Sequence, residues 1–105
     1  METPNLDYLD ALAGDDLEFR DRFLNIVKAE LPEETDAYYE NLKKNELKAA
    51  SEDVHKLKHK INILGLNLSY DIAARYEEEL REGKTDMQSD FAAILSTMEN
   101  YIKTI

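Results

Sequence analysis

Two histidines one helical turn apart are the residues of this chain best suited to chemistry. His59 follows His55 by four positions, and Lys58 follows it by three. Residues three and four apart share one face of a helix, so both side chains can approach the His55 ring. An imidazole with the ordinary pKa of about 6.5 is largely neutral, and therefore nucleophilic, at cellular pH. Because a neighbouring lysine would stabilise a phosphoryl group on the ring, His55 is a candidate phosphoryl acceptor.

Basic residues are concentrated around these histidines in an otherwise acidic chain. The 105 residues include 13 Lys or Arg and 23 Asp or Glu, for a net charge of −10. A basic patch on an acidic body favours an anionic partner surface or a phosphoryl group, although ordinary charge pairs on an exposed helix give the same pattern. The overall charge repels phosphate backbones and anionic lipid, so we expect no nucleic-acid or membrane partner. The basic residues of the patch are Lys43, Lys44, Lys48, Lys56, Lys58 and Lys60.

Other kinds of functional site have little support in the sequence. His55 and His59 could share a metal ion, but a catalytic zinc site needs a third ligand and the HExxH pattern is absent. The lack of cysteine excludes a disulfide framework, a thiolate metal site and a cysteine nucleophile. No glycine-rich phosphate loop or nucleotide-binding motif occurs. We therefore expect no metal site, no cofactor of its own and no kinase activity.

The sequence also lacks signs of export or membrane insertion. Its longest run without a charged residue extends only from Ile61 to Tyr70, whereas a membrane-spanning helix needs about 20 apolar residues. The first residues have neither the basic start nor the apolar segment of a signal peptide. We expect a soluble, cytoplasmic protein.

The scarcity of turn residues predicts long helices with short connections. The chain has 3 Gly and 2 Pro, too few for a β-sandwich or barrel, which needs a turn about every 8–12 residues. Residues 1–105 are expected to form one domain. A short first helix is predicted to start at Thr3-Pro4 and to end at Gly14. Its apolar positions are Leu6, Leu9 and Leu12.

A second helix should follow, capped by Asp15 and Asp16. Proline lacks a backbone donor and clashes with the preceding turn, so we predict a kink or a restart at Pro32. The helix would resume as Glu33 to Lys44, with a turn over positions 43–46. The residues predicted to face the core are Phe19, Phe23, Ile26, Val27, Tyr38 and Leu42.

Three later patterns predict the remaining helices. An apolar stripe with steps of three and four indicates a long helix that bends or ends near Gly65. In the next helix, which would stop at Gly83, Glu77 is expected to point outward. The segment Thr85–Gln88 has the form of a capping box for the last helix. The predicted inward residues are Leu47, Ala50, Val54, Leu57, Ile61, Leu64 and Leu68; then Ile72, Ala73, Tyr76 and Leu80; then Met87, Phe91, Ile94, Met98, Tyr101 and Ile105.

All of these helices are amphipathic, so none is stable alone and they must share one core. The predicted fold is all-α: an antiparallel up-and-down four-helix bundle with an additional short N-terminal helix.

The residues around His55 resemble the histidine-containing phosphotransfer (HPt) domain. The stretch from His55 to Lys58 is similar to the family pattern H-x-L-K-G. Leu64-Gly65 is similar to a following L-G, and Tyr76-Glu77 to an L-E on the next helix. Upstream, the segment 14–19 and Phe23 resemble the family's helix opening. The resemblance covers essentially the whole chain.

The resemblance implies a stand-alone carrier in a multistep two-component phosphorelay. His55 would receive a phosphoryl group from, and return it to, aspartates of receiver domains, and Lys58 would interact with that group. The implied partner is the receiver domain of a response regulator or hybrid histidine kinase, which would supply Mg²⁺ and the catalytic acidic pocket. Lys56, His59 and Asn62 are expected to contact this partner, and the protein is expected to be a monomer.

The sequence departs from the family pattern directly after Lys58. His59 stands where the family has glycine, and Lys60 stands where it has a small residue. A histidine there would hinder docking or require a receiver with a complementary hollow; it could instead hydrogen-bond the His55 ring or the phosphoryl oxygens. The alternative function is therefore a pseudo-HPt adaptor that binds a receiver or histidine kinase without carrying phosphate.

Overall fold

The structure, a computed structural model, describes residues 2–105 and is all-helical, as predicted. Met1, part of the predicted 1–105 domain, lies outside the described residues. α3 packs against α2 and α4, and α5 packs against α4 and α2, so these four helices surround a common core. α1 packs on α2. The helices are α1 (Asp7–Ala13), α2 (Leu17–Lys43), α3 (Leu47–Ile63), α4 (Asn67–Arg81) and α5 (Gln88–Ile102).

Three aromatic rings from three helices lie at the centre of this core. Tyr38 of α2, Tyr76 of α4 and Phe91 of α5 are fully buried, with ring centroids 5.2 to 6.1 Å apart. The two tyrosine hydroxyls hydrogen-bond each other, which satisfies polar groups that would otherwise be buried without partners. The predicted α3 stripe is confirmed at Ala50, Val54, Leu57, Ile61 and Leu64, all fully buried.

The first helix begins later than predicted. Thr3-Pro4 is not its start; instead Asn5 Oδ1 accepts the backbone N–H of Asp7 at 3.0 Å, and α1 begins there. The Asn5 backbone N–H donates to the carbonyl of Leu64 at 2.9 Å. The chain before α1 is therefore held against the α3–α4 turn, a contact distant in sequence. The end at Gly14, where φ is +56°, is confirmed.

α2 is one continuous helix through Pro32, so of the two predicted alternatives, a kink or a restart, the restart is wrong. The proline removes only its own bond to the carbonyl of residue 28, and buried residues on both sides of it hold the helix in place. The predicted cap is confirmed at Asp16, whose Oδ1 accepts the Phe19 N–H at 2.9 Å. The buried face is made by Leu24, Val27, Leu31, Thr35 and Tyr38.

Most of the predicted core stripe at the start of α2 is not buried. Ile26 is 54% exposed, and Phe19 and Phe23 are only half-buried. Of the four residues predicted to be buried in this first part of α2, only Val27 is in the core. The segment contains two apolar rows with helical spacing, and packing against the neighbouring helices selected the row that contains Leu24.

The long apolar stripe that follows α2 is divided between two helices. α3 ends at Ile63, and Gly65 turns the chain with φ +76°, which confirms the predicted end. Leu68 belongs to α4 and is 68% exposed, so its assignment to the stripe is wrong. The turn at Gly65 interrupts the helical periodicity. Leu68 continues the spacing of the α3 stripe in sequence, but it no longer lies on the same face.

The predicted capping box at Thr85–Gln88 is wrong. α5 starts at Gln88 without a side-chain cap. Instead, the Met87 N–H donates to Oε1 of Glu79 at 3.2 Å, so a residue of α4 supplies the acceptor. Phe91, Ile94 and Met98 are buried as predicted, whereas Tyr101 is half-buried and Ile105 lies beyond the helix.

Substitution of Gly65 by alanine is expected to destabilise the protein more than the same change at Gly83. Both residues have positive φ, but a Cβ at Gly65 would lie 2.6 Å from the Asn5 side chain, whereas one at Gly83 meets nothing within 4 Å. We expect Gly83→Ala to lower the free energy of unfolding by about 1 kcal/mol and Gly65→Ala by about 2–3 kcal/mol. Urea denaturation measures both, and equal losses would contradict a role for Asn5.

Candidate functional site

α3 presents His55 on its outer side. The neighbouring inward residues Val54 and Leu57 are fully buried, whereas the His55 side chain is 54% exposed. His55 thus lies at the edge of the core. The ring is accessible to another molecule, while the helix that carries it is fixed by core packing.

A buried carboxylate from α4 contacts this ring. Oε2 of Glu77 lies 3.3 Å from Nδ1 of His55, and the Glu77 side chain is only 5% exposed. Oε1 of Glu77 lies 2.8 Å from Nζ of Lys58, and Arg81 also pairs with Glu77. We call these four residues, His55, Lys58, Glu77 and Arg81, the Glu77 cluster. Its carboxylate favours the His55 tautomer with the proton on Nδ1, which leaves the lone pair on Nε2.

The outward position predicted for Glu77 is wrong. Glu77 is buried because Lys58 and Arg81 pair with it and the His55 ring lies beside it, so a charge that would be costly alone is compensated. One signal in the sequence could have indicated this: Glu77 follows Ala73 by four positions and precedes Leu80 by three, and both are buried. It therefore continues the inward stripe of α4.

Opposing effects set the pKa of Glu77. Burial raises it, but the hydrogen bond and charge of Lys58, followed by the charges of Arg81 and His55, together lower it by more, so the net pKa lies below the ordinary value of a glutamate. A carboxylate with a depressed pKa stabilises the folded state fully above its unfolded pKa. That stabilisation is lost as the pH falls through the lower pKa of the folded state.

Acidification below pH about 4.5 should therefore weaken the fold through Glu77. The free energy of unfolding of the wild type should fall more steeply between pH 5 and pH 3 than that of Glu77→Gln, which has no proton to gain there. Glu2, whose pKa is also lowered, remains in both proteins and cancels in the comparison. Urea denaturation at each pH tests this; parallel curves would contradict it.

Two contacts position Lys58. Besides the ion pair with Glu77, its Nζ lies 5.6 Å from the centroid of the Tyr70 ring, and the side chain is only 14% exposed. The sequence predicts that Lys58 approaches the His55 ring directly. The structure instead connects the two through the Glu77 carboxylate and largely buries the lysine.

His59 lies directly against the His55 ring. The two rings meet edge to face, with centroids 5.4 Å apart and an interplanar angle of 86°. His59 is exposed, and so is Asn62 one turn further along the helix. These two residues therefore extend the exposed face of His55 toward the end of α3, where the sequence placed partner contacts.

Lys56 and Lys60 lie on the other flank of α3. Lys56 is exposed and lines a cavity of about 280 Å³ with acidic residues of α2. Lys60 is buried, with Nζ 3.2 Å from Glu30 and 3.3 Å from Glu34. Lys60 therefore occupies the small-residue position without crowding His55.

No helix within residues 2–105 is both long enough and apolar enough to span a membrane. Nor does that range contain three His, Asp or Glu side chains grouped as metal ligands.

Comparisons with known proteins bear on this site. A model of the Hpt domain family matches residues 22–105. Curated proteins and solved structures give no match. The matched range is most of the chain and contains the whole Glu77 cluster. The chain therefore belongs to the Hpt domain family, whose members carry a phosphoryl group on a histidine in phosphorelays, interact with receiver domains and are not kinases.

Proposed function

We propose that this protein is a stand-alone, monomeric and cytoplasmic phosphocarrier with His55 as its phosphoacceptor. Residues 1–105 form one domain, in which the four long helices run as an antiparallel up-and-down bundle and α1 is the additional helix. The observation that carries the assignment is the contact between Nδ1 of the exposed His55 and buried Glu77, because it orients a nucleophilic nitrogen toward solvent.

The Nε2 atom of His55 is the proposed nucleophile. Its lone pair forms the N–P bond while the bond between phosphorus and the carboxylate oxygen of a receiver phosphoaspartate breaks, and the aspartate leaves as a carboxylate. The reverse step returns the group. The ring becomes more positive when its nitrogen is phosphorylated, and the Glu77 carboxylate at 3.3 Å from Nδ1 stabilises that charge.

Lys58 is the proposed cation for the phosphoryl oxygens. Its ammonium group has three donors, and Glu77 occupies one side of it. The remaining donors are free to turn toward a group carried on Nε2. Mg²⁺ is expected to come from the receiver domain, and this chain needs no cofactor of its own.

The proposed docking surface is the exposed face of α3 around His55, including His59 and Asn62, with Lys56 at its α2 flank. This face combines an accessible ring with positive side chains on a protein whose net charge is −10. A receiver's acidic pocket is complementary to such a local patch, which aids encounter and orientation.

Phosphoryl transfer to receiver domains tests the carrier function. The protein is first phosphorylated, separated from the donor and mixed with purified receiver domains and Mg²⁺; Phos-tag gels then follow the label. A carrier passes the group to a receiver, and a receiver with its acceptor aspartate changed to asparagine stays unlabelled. A folded protein that binds a receiver but neither takes up nor releases phosphate would instead be the pseudo-HPt adaptor.

A further inference from the structure

We propose that His55 and His59 together form a reversible site for a divalent transition-metal ion that prefers imidazole ligands, such as Zn²⁺. The two side chains lie one turn apart on α3, both are exposed, and their ring centroids are 5.4 Å apart. With Nδ1 of His55 kept on Glu77, rotation of the exposed His59 ring would bring one nitrogen of each ring to a shared ion. Imidazole nitrogen is a preferred ligand of zinc and copper.

The Glu77 carboxylate already supplies the support that a metal-binding histidine requires. Histidines that bind metals usually direct the other ring nitrogen to a carboxylate or carbonyl, which fixes the tautomer. Nδ1 of His55 lies 3.3 Å from Oε2 of Glu77 in this manner. Because Glu77 comes from α4, this support is independent of the spacing between the two histidines.

The surrounding charges also permit a cation. Two neighbouring lysines are ion-paired: Lys60 with Glu30 and Glu34, and Lys58 at 2.8 Å with Glu77, a carboxylate that it shares with Arg81. The protein as a whole carries a charge of −10. Water would complete the coordination of an ion held by two imidazoles, so the site is open and exchangeable, unlike a closed four-ligand structural zinc site.

Metal binding and phosphorylation would exclude each other, an inference that rests on the proposed function. Both use the lone pair of His55 Nε2, and a nitrogen bonded to zinc has no pair with which to attack phosphorus. By thermodynamic reciprocity, phosphorylation of His55 removes one ligand and releases the ion. His59, which replaces the family glycine, would thus make this carrier sensitive to metal.

A zinc titration followed by NMR of the histidine ring protons tests the site without phosphate. In the wild type, the signals of both rings should move together as ZnCl₂ is added. In His59→Gln, the zinc concentration needed to shift the His55 signal should be at least about tenfold higher, since one ligand is gone. Unmoved signals in the wild type, or equal zinc sensitivity in His59→Gln, would overturn the proposal.

Phosphorylation by phosphoramidate with and without zinc tests the competition. Intact mass should show slower labelling of the wild type at zinc concentrations that leave labelling of His59→Gln unchanged. The same slowing in both proteins would place the effect of zinc elsewhere and overturn the competition. A wild type that takes no label even without zinc would contradict the proposed function, while the NMR titration still decides whether the metal site exists.

Discussion

Phosphoramidate should add one phosphoryl group to the wild-type protein and none to His55→Gln. The attack needs the exposed lone pair on Nε2, and a carboxamide nitrogen has no comparable nucleophilic pair. The N–P bond to His55 forms, the donor P–N bond breaks, and the departing nitrogen takes up a proton and leaves as ammonia. Intact mass spectrometry measures the addition directly, and acid treatment should remove it.

His59→Gln is the matched control, because it makes the same substitution one helical turn away on the same exposed face. It should still gain the phosphoryl group, since His59 lacks the buried carboxylate partner that orients His55. Label retained in His55→Gln, or lost only in His59→Gln, would reassign the acceptor. A small donor needs no docking, so the outcome does not depend on how a receiver fits.

Glu77→Ala is expected to lower both stability and the rate of phosphorylation. Removal of the carboxylate leaves Lys58, whose side chain is 14% exposed, without its counter-ion. Breaking a buried ion pair by deleting one partner costs about 3 kcal/mol or more. Loss of the group that orients His55 should slow phosphorylation by roughly 10- to 100-fold. Urea denaturation and timed intact-mass measurements give the two quantities.

Glu77→Gln separates the two effects, because it keeps the size and polarity of the side chain and removes only the charge. It should be more stable than Glu77→Ala and still slow to phosphorylate. If both variants were phosphorylated at the wild-type rate while folded, the carboxylate would have a structural role only.

Lys58→Ala extends the same argument to the partner of Glu77. An exposed lysine would contribute little to stability, but Lys58 is paired with a buried carboxylate. We therefore expect Lys58→Ala to lower the free energy of unfolding by about 2 kcal/mol. Phosphoryl transfer should also be slower. In the double variant Lys58→Ala/Glu77→Ala, the free energy of unfolding should fall by less than the sum of the two single decreases, because the two residues share one interaction. Additive losses would show that they act independently.

The sequence by itself determined the helical class, most of α3 and the position of His55. These features depend on local periodicity: residues three and four apart share a face whatever the rest of the chain does. The buried row from Ala50 to Leu64 therefore predicted which side of α3 was inward, and His55 followed as an exposed neighbour. The cap at Asp16 and the ends at Gly14 and Gly65 are equally local.

Only the tertiary structure decided how the site around His55 is completed. Glu77 is charged, and a charged residue is expected at the surface. It is buried because Lys58, on another helix, forms an ion pair with it. Lys60 likewise is directed to α2 and not to His55, because it forms ion pairs with Glu30 and Glu34.

The difference between local patterns and long-range contacts also explains where the predicted fold was wrong. Continuity of α2 through Pro32, and the start of α1 at the α3–α4 turn, depend on contacts between segments far apart in sequence. Periodicity describes one helix at a time, whereas the burial of a charge depends on which opposite charge a neighbouring helix brings to it.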